Sequence, residues 1–142
     1  MNRPRLGKRL ISLVGAADIG SPFIADWNKT HIHNTEWPPH AKFHDAQTIL
    51  LGVLLGALSL GFLWLPGSNR QARTQLATLL ASLYWVSQLG AFLFPRTSGV
   101  DPEFRADVPK IDGYQLNQIP LASLMLALLA AGYYLERRAV ES

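Results

Sequence analysis

All four histidines of this 142-residue chain fall in one eighteen-residue stretch, "NKTHIHNTEWPPHAKFHD", as His31, His33, His40 and His44. Glu36, Asp45 and Trp37 lie among them, and Asp26 and Trp27 stand immediately before. Imidazole next to carboxylate is the raw material of general acid–base catalysis: one group removes a proton from water or substrate while another returns a proton to a departing oxygen. Asp26 and His40 are read as that pair, with Asn28 and His44 orienting the water and the ring, and with Asp18 or Asp45 tuning the histidines. The same residues also suit a metal. His31-x-His33 and His40-xxx-His44 have ligand spacing, and Asp26, Glu36 or Asp45 would complete an N/O shell for zinc or iron. No HExxH or comparable motif accompanies them, and the acid–base reading calls for no cofactor. The third reading is an interfacial loop whose histidines and tryptophans meet headgroups and helix caps.

The elements that must carry these residues are apolar. Hydrophobic residues make up 49% of the chain and charged residues only 16%, against roughly 25% charged in a soluble globular protein. No charge occurs between Asp45 and Arg70, between Arg73 and Arg96, or between Asp112 and Glu136. Each gap holds about 20 apolar residues, enough for a helix rising about 1.5 Å per residue to cross roughly 30 Å of hydrocarbon. Spans are therefore predicted at about 45–66, 74–95 and 115–135. A further apolar run, Leu10–Trp27, follows a basic start. "VGAAD" resembles a signal-peptide cleavage site, but apolar residues resume after Asp18 and continue to Ala25, and we read a retained helix. The expectation is an all-α integral membrane four-helix bundle, one domain over 1–142, with helices at about 8–27, 39–66, 72–95 and 115–136.

Eight of the thirteen basic residues (Arg3, Arg5, Lys8, Arg9, Arg70, Arg73, Arg137, Arg138) fall on one predicted side. The other five share the opposite side with most of the acidic residues. By the positive-inside rule both termini are cytoplasmic and the histidine stretch is not. The basic balance then follows from topology, and no basic patch interleaved with aromatics argues for nucleic acid. The expected location is multi-pass, in the cytoplasmic membrane of a bacterium or the endoplasmic reticulum of a fungus.

Polar residues inside the spans follow a pattern. On helix 1, Asp18, Ser21, Pro22, Ala25 and Asp26 share one face. An intramembrane carboxylate costs at least about 2.5 kcal/mol, so Asp18 is expected in a bundle interior or a wet cavity. "WPPH" starts helix 2, proline being tolerated in a first turn. His40, His44, Thr48, Gly52 and Gly56 recur every fourth residue there and are read as one face: a polar wall running into a GxxxG seam. Tyr84 and Gln88 on helix 3, and Gln115, Asn117, Gln118 and Ser123 on helix 4, fall at the same outer level. Together they predict a cavity open to the outer side and floored near Asp18. Trp27, Trp37, Thr48, Tyr84, Gln88 and Gln118 are its expected substrate-facing residues.

The string "ADWNKTHIHNTEWPPHAKFHDA" resembles the signature of small DoxX-like four-helix membrane proteins, some encoded in natural-product pathways. It is also similar to fungal membrane proteins of this layout assigned as epoxide hydrolases. The resemblance implies epoxide hydrolysis, or a related double-bond isomerisation, on a lipophilic small molecule, with lipid and further copies of the chain as the other partners. The alternatives are a DoxX-like accessory or redox-associated subunit and a histidine-cluster metal protein. "NKT" matches a glycosylation sequon, residues 98–115 form a long outer connection, read as a solvated loop or as a lid, and Arg96 is expected to pair with Asp26 or Asp45 or to meet lipid headgroups.

Overall fold

The computed structural model describes residues 6–67, 69–106, 108–115 and 117–141. Arg3, Arg5 and Asp107, used above for topology and for the outer loop, lie outside them. Four helices carry the fold: α1 Leu6–Asp26, α2 Pro39–Trp64, α3 Arg70–Ala91 and α4 Gln118–Glu141. Each packs on its neighbours around a closed square, α1 on α2, α2 on α3, α3 on α4 and α4 back on α1. The start of α1 meets the ends of α2 and α4, as the Trp64–Ser12 and Lys8–Glu136 hydrogen bonds record. Consecutive helices are therefore antiparallel and the two ends of the described chain lie at one end of the bundle.

The boundaries have local causes. Pro38 precedes Pro39 at the start of α2 in an extended conformation, and at the other end Pro66 pushes Leu65 to extended backbone. Asn69 caps α3 by accepting the Ala72 N–H. Helix α3 stops at Ala91, four residues short of the expected end, where turns lead to Pro95. The long connection to α4 is not wholly irregular: a 3₁₀ turn covers Pro102–Phe104, and strands β1 Lys110–Ile111 and β2 Tyr114–Gln115 pair antiparallel. Asp112 and Gly113 join them with φ of 49° and 84°, the positive values a tight hairpin turn requires.

The GxxxG seam is real. Gly52 and Gly56 are buried, and a Cβ on Gly56 would strike the Gly15 carbonyl oxygen of α1. A Cβ on Gly52 would come within 2.7 Å of the Asp18 carbonyl oxygen and 2.9 Å of the Pro22 ring. Pro22 has no N–H to bond that carbonyl, so the carbonyl leans onto the bare backbone of α2. Ile11, Val14, Ala77, Ala81, Tyr84, Trp85, Ala122 and Leu129 fill the core.

The face predicted to continue this seam does not exist. Gly52 and Gly56 are buried while His40, His44 and Thr48 are exposed. Four residues turn a helix by about 400°, so a four-residue repeat drifts about 40° per step and moves to the opposite side within four steps.

At the shared end of the termini, Glu136 is only 1% exposed. Its carboxylate accepts the Lys8 backbone N–H at 3.0 Å and pairs with the Arg70 guanidinium. One side chain thus caps the first turn of α1, where N–H groups have no helical partner, and ties α4 to α3. Helix α2 and the Gln118–Ala139 part of α4 are long and apolar enough to cross a membrane, and only 28% and 17% of their apolar windows are buried inside the bundle.

Candidate active site at the α1–α2 turn

The segment between α1 and α2 is built around Asn28. Its Nδ2 donates to the Ala25 carbonyl at 2.6 Å, closing the end of α1. Its Oδ1 accepts both the backbone N–H and the hydroxyl of Thr30, at 2.7 and 2.6 Å. Because Nδ2 faces carbonyls, the amide orientation is fixed, and the Thr30 proton is spent on Oδ1. The Thr30 oxygen also stands 2.6 Å from His31 Nδ1; with the Thr30 proton on Asn28 Oδ1, this contact calls for a proton on Nδ1 and leaves Nε2 as the ring nitrogen for chemistry.

Nε2 faces Asp26, 3.8 Å from Oδ1. Asp45, in the second turn of α2, completes a cluster: one ligand-capable atom from each of Asp26, His31 and Asp45 lies within 4.8 Å of the others. The Asp26 and His31 side chains keep 16% and 34% of their surface exposed, so the cluster is recessed but reachable. Asp45 Oδ2 is buried with no hydrogen-bond partner. The Trp37 ring stands edge-on to His31 at 5.0 Å, and Trp27 packs on Phe23 and His33. Trp27, Phe23, Ile24 and Phe43 are otherwise exposed, giving the mouth an apolar collar.

The residues expected at the site separate into three groups. Asp26 stands in the cluster, and the histidine beside it is His31, not His40. His40 and His44 turn to each other, Nε2 to Nε2 at 3.1 Å, on the exposed side of α2. Among the described residues neither contacts Asp26, because the helical drift carries them past the α1 side of α2. Asn28, expected to orient a water, has its amide engaged in the turn with Ala25 and Thr30. Thr48 bonds back to the His44 carbonyl and is exposed, and His33 lies against Trp27 away from the carboxylates. Arg96 forms no ion pair with Asp26 or Asp45 among the described residues.

Deeper in the bundle, Asp18 is fully buried and neither carboxylate oxygen has a hydrogen-bond partner. The Trp85 indole N–H faces it without closing a bond of good geometry. Asp18 therefore does not floor an open cavity: the rings of Tyr84 and Trp85, perpendicular at 5.2 Å, occupy that level of the core. Tyr84 accepts a hydrogen bond from Gln88 at 3.1 Å. Gln118, at the start of α4, has its Oε1 buried without a partner beside Gly99 of the outer connection.

Sequence reasoning did not see the role of Thr30 or the pairing of Glu136 with Arg70. The pattern Asn-x-Thr-His was the available signal for the first, since it places a hydroxyl between an amide and an imidazole. The second spans 66 positions and leaves no local trace.

The fold and site define a small all-α bundle with a carboxylate–histidine cluster at the end opposite its termini. The chain belongs to a family of unknown function (DUF6640), whose model matches residues 10–142. No curated protein and no solved structure matches it.

Proposed function

We propose that the protein is a multi-pass membrane enzyme that opens a lipophilic epoxide with water at the Asp26–His31–Asp45 cluster, with both termini on the cytoplasmic side. The observation that carries the chemistry is the 3.8 Å approach of His31 Nε2 to Asp26 Oδ1 while Nδ1 is held by Thr30. In this reading Asp26 takes a proton from water as the water oxygen attacks a ring carbon. The carbon–oxygen bond breaks, and the ring oxygen takes a proton from Nε2 of His31 in its doubly protonated form, or is met there by another electrophile seated between Nε2 and Asp45. A diol leaves, and the proton on Asp26 returns across the gap to His31. No redox partner is needed, and acid–base assistance of this kind is worth about 100-fold to 10,000-fold.

Insertion in the membrane is supported by the apolar, largely uncovered outer faces of α2 and α4, which need lipid or another apolar surface. The less apolar α3 spends its hydroxyls internally: Thr78 bonds the Thr74 carbonyl, Ser82 that of Leu79 and Ser87 that of Tyr84, leaving them no need of water. An aromatic collar at the mouth suits the interface, where amphipathic rings sit at headgroup level. A lipophilic substrate would reach the cluster from the bilayer through this collar.

The test is hydrolysis in proteoliposomes of a panel of long-chain epoxides in ¹⁸O-labelled water. Diol carrying one ¹⁸O, formed over the rate in empty liposomes, is expected. Absence of diol from every member of the panel overturns the epoxide assignment.

A further inference from the structure

We propose that Asp26, His31 and Asp45 hold one divalent transition-metal cation, zinc or iron(II), and that this cation is the electrophile of the site. The use made of the cation rests on the epoxide reading above; its binding does not.

The donors come from three separate places, the last residue of α1, the loop and the second turn of α2, yet their ligand atoms converge within 4.8 Å. Around zinc at about 2.0–2.2 Å, donor atoms lie roughly 3.3–3.5 Å apart, so closing onto a cation asks for about 1 Å of side-chain movement. Two carboxylates face a single imidazole, and among the described residues no lysine or arginine forms an ion pair with either. Asp45 Oδ2 is buried and unpartnered, a costly arrangement for an acceptor unless something positive meets it.

The histidine is also prepared. A metal-bound imidazole usually donates its other N–H to a fixed acceptor, which sets the tautomer. Here the chain from the Ala25 carbonyl through Asn28 and Thr30 sets Nδ1–H and leaves the Nε2 lone pair toward Asp26. One nitrogen with carboxylate oxygens suits zinc or iron(II), whereas calcium and magnesium prefer oxygen alone. Three protein ligands would leave coordination positions open for water and for the epoxide oxygen, which the cation would polarise as a Lewis acid; with Nε2 then a ligand, the proton that Asp26 takes from water would pass to the opened oxygen and not to His31.

His40 and His44 are the competing site, since their Nε2 atoms stand 3.1 Å apart and can chelate on their own. The experiment therefore compares the two. Detergent-purified full-length protein is stripped with a chelator and titrated with Zn²⁺ by equilibrium dialysis, and Co²⁺ loading is followed by its visible absorption. One cation per chain is expected. His31→Ala and the shape-conserving Asp45→Asn should each weaken binding by about 100-fold or more, and the His40→Ala/His44→Ala double variant should leave it unchanged. No binding, or binding kept by Asp45→Asn and lost by the double variant, overturns the inference. If no cation binds and Asp26→Asn still abolishes diol formation, the metal inference fails alone. If a cation binds as expected and no epoxide is turned over, the substrate reading fails alone.

Discussion

His31 and Asp26 are joined through different ring nitrogens to different parts of the fold: Nε2 lies 3.8 Å from the Asp26 carboxylate, and Nδ1 lies 2.6 Å from Thr30 Oγ1. The Thr30 hydroxyl links Asn28 to this ring. Thr30→Val keeps the shape and removes the acceptor. Turnover should fall about tenfold or more, the usual effect of losing a group that orients a ligand or base, while circular dichroism and thermal unfolding stay close to wild type. Unchanged turnover would show that the tautomer is set by something else.

At the opposite end, the buried Glu136 carboxylate has the Arg70 guanidinium and the Lys8 N–H as partners. Arg70→Met leaves this carboxylate buried with its counter-charge gone and should cost about 3–5 kcal/mol. Glu136→Gln frees the half-exposed Arg70 to water and should cost less. Detergent-solubilised thermal unfolding of both variants reads the order, and the reverse order would show that the pair is solvated.

The seam between α1 and α2 makes a third prediction. Gly56→Ala places a methyl against the Gly15 carbonyl and should cost about 1–3 kcal/mol as overpacking; Gly56→Leu should cost more. Gly20, whose Cβ would meet nothing, provides the control: Gly20→Ala should be neutral or stabilising. Equal melting temperatures for Gly56→Ala and Gly20→Ala would refute the close approach.

Asp18 offers the opposite sign. Its carboxyl oxygens lie in the core with no hydrogen-bond partner, so Asp18→Asn should raise the unfolding temperature, since a carboxyl buried without partners must either keep an unpaired charge or take up a proton on folding, and an amide does neither. Activity should stay within a few-fold, because Asp18 lies below the mouth under Tyr84 and Trp85. A large loss of turnover with an unchanged fold would move the reacting centre inward to Asp18 and Tyr84.

These residues also show how far the sequence can be read. The charge-free runs locate α2 and α4, though the start of α2 and the end of α4 each lie six residues beyond them, because length and composition are additive and local while helix ends are set by caps and packing. The Gly52/Gly56 seam is legible for the same reason, since two positions four apart stay on one side. His40, His44 and Thr48 are not an extension of it, because the small angular excess of a four-residue repeat accumulates. The place of Asp26 in the cluster was legible from its position at the end of a polar face. Its partner was not, since the choice of His31 over His40 depends on the Asn28 turn, whose backbone path no periodicity reports. Glu136 looked like an ordinary charge at a helix end; its burial follows from the convergence of three helix ends.

The central claim is that Asp26 beside His31, and not the His40–His44 pair, carries the chemistry. The most direct measurement is diol formation by Asp26→Asn and His40→Gln proteins in proteoliposomes, each first shown to unfold at its usual temperature. Asp26→Asn removes the oxygen that takes the proton from water and should lower turnover by about 100-fold or more, whereas His40→Gln should leave it within about twofold, as befits an exposed surface substitution. Full activity in Asp26→Asn together with loss in His40→Gln would contradict the account.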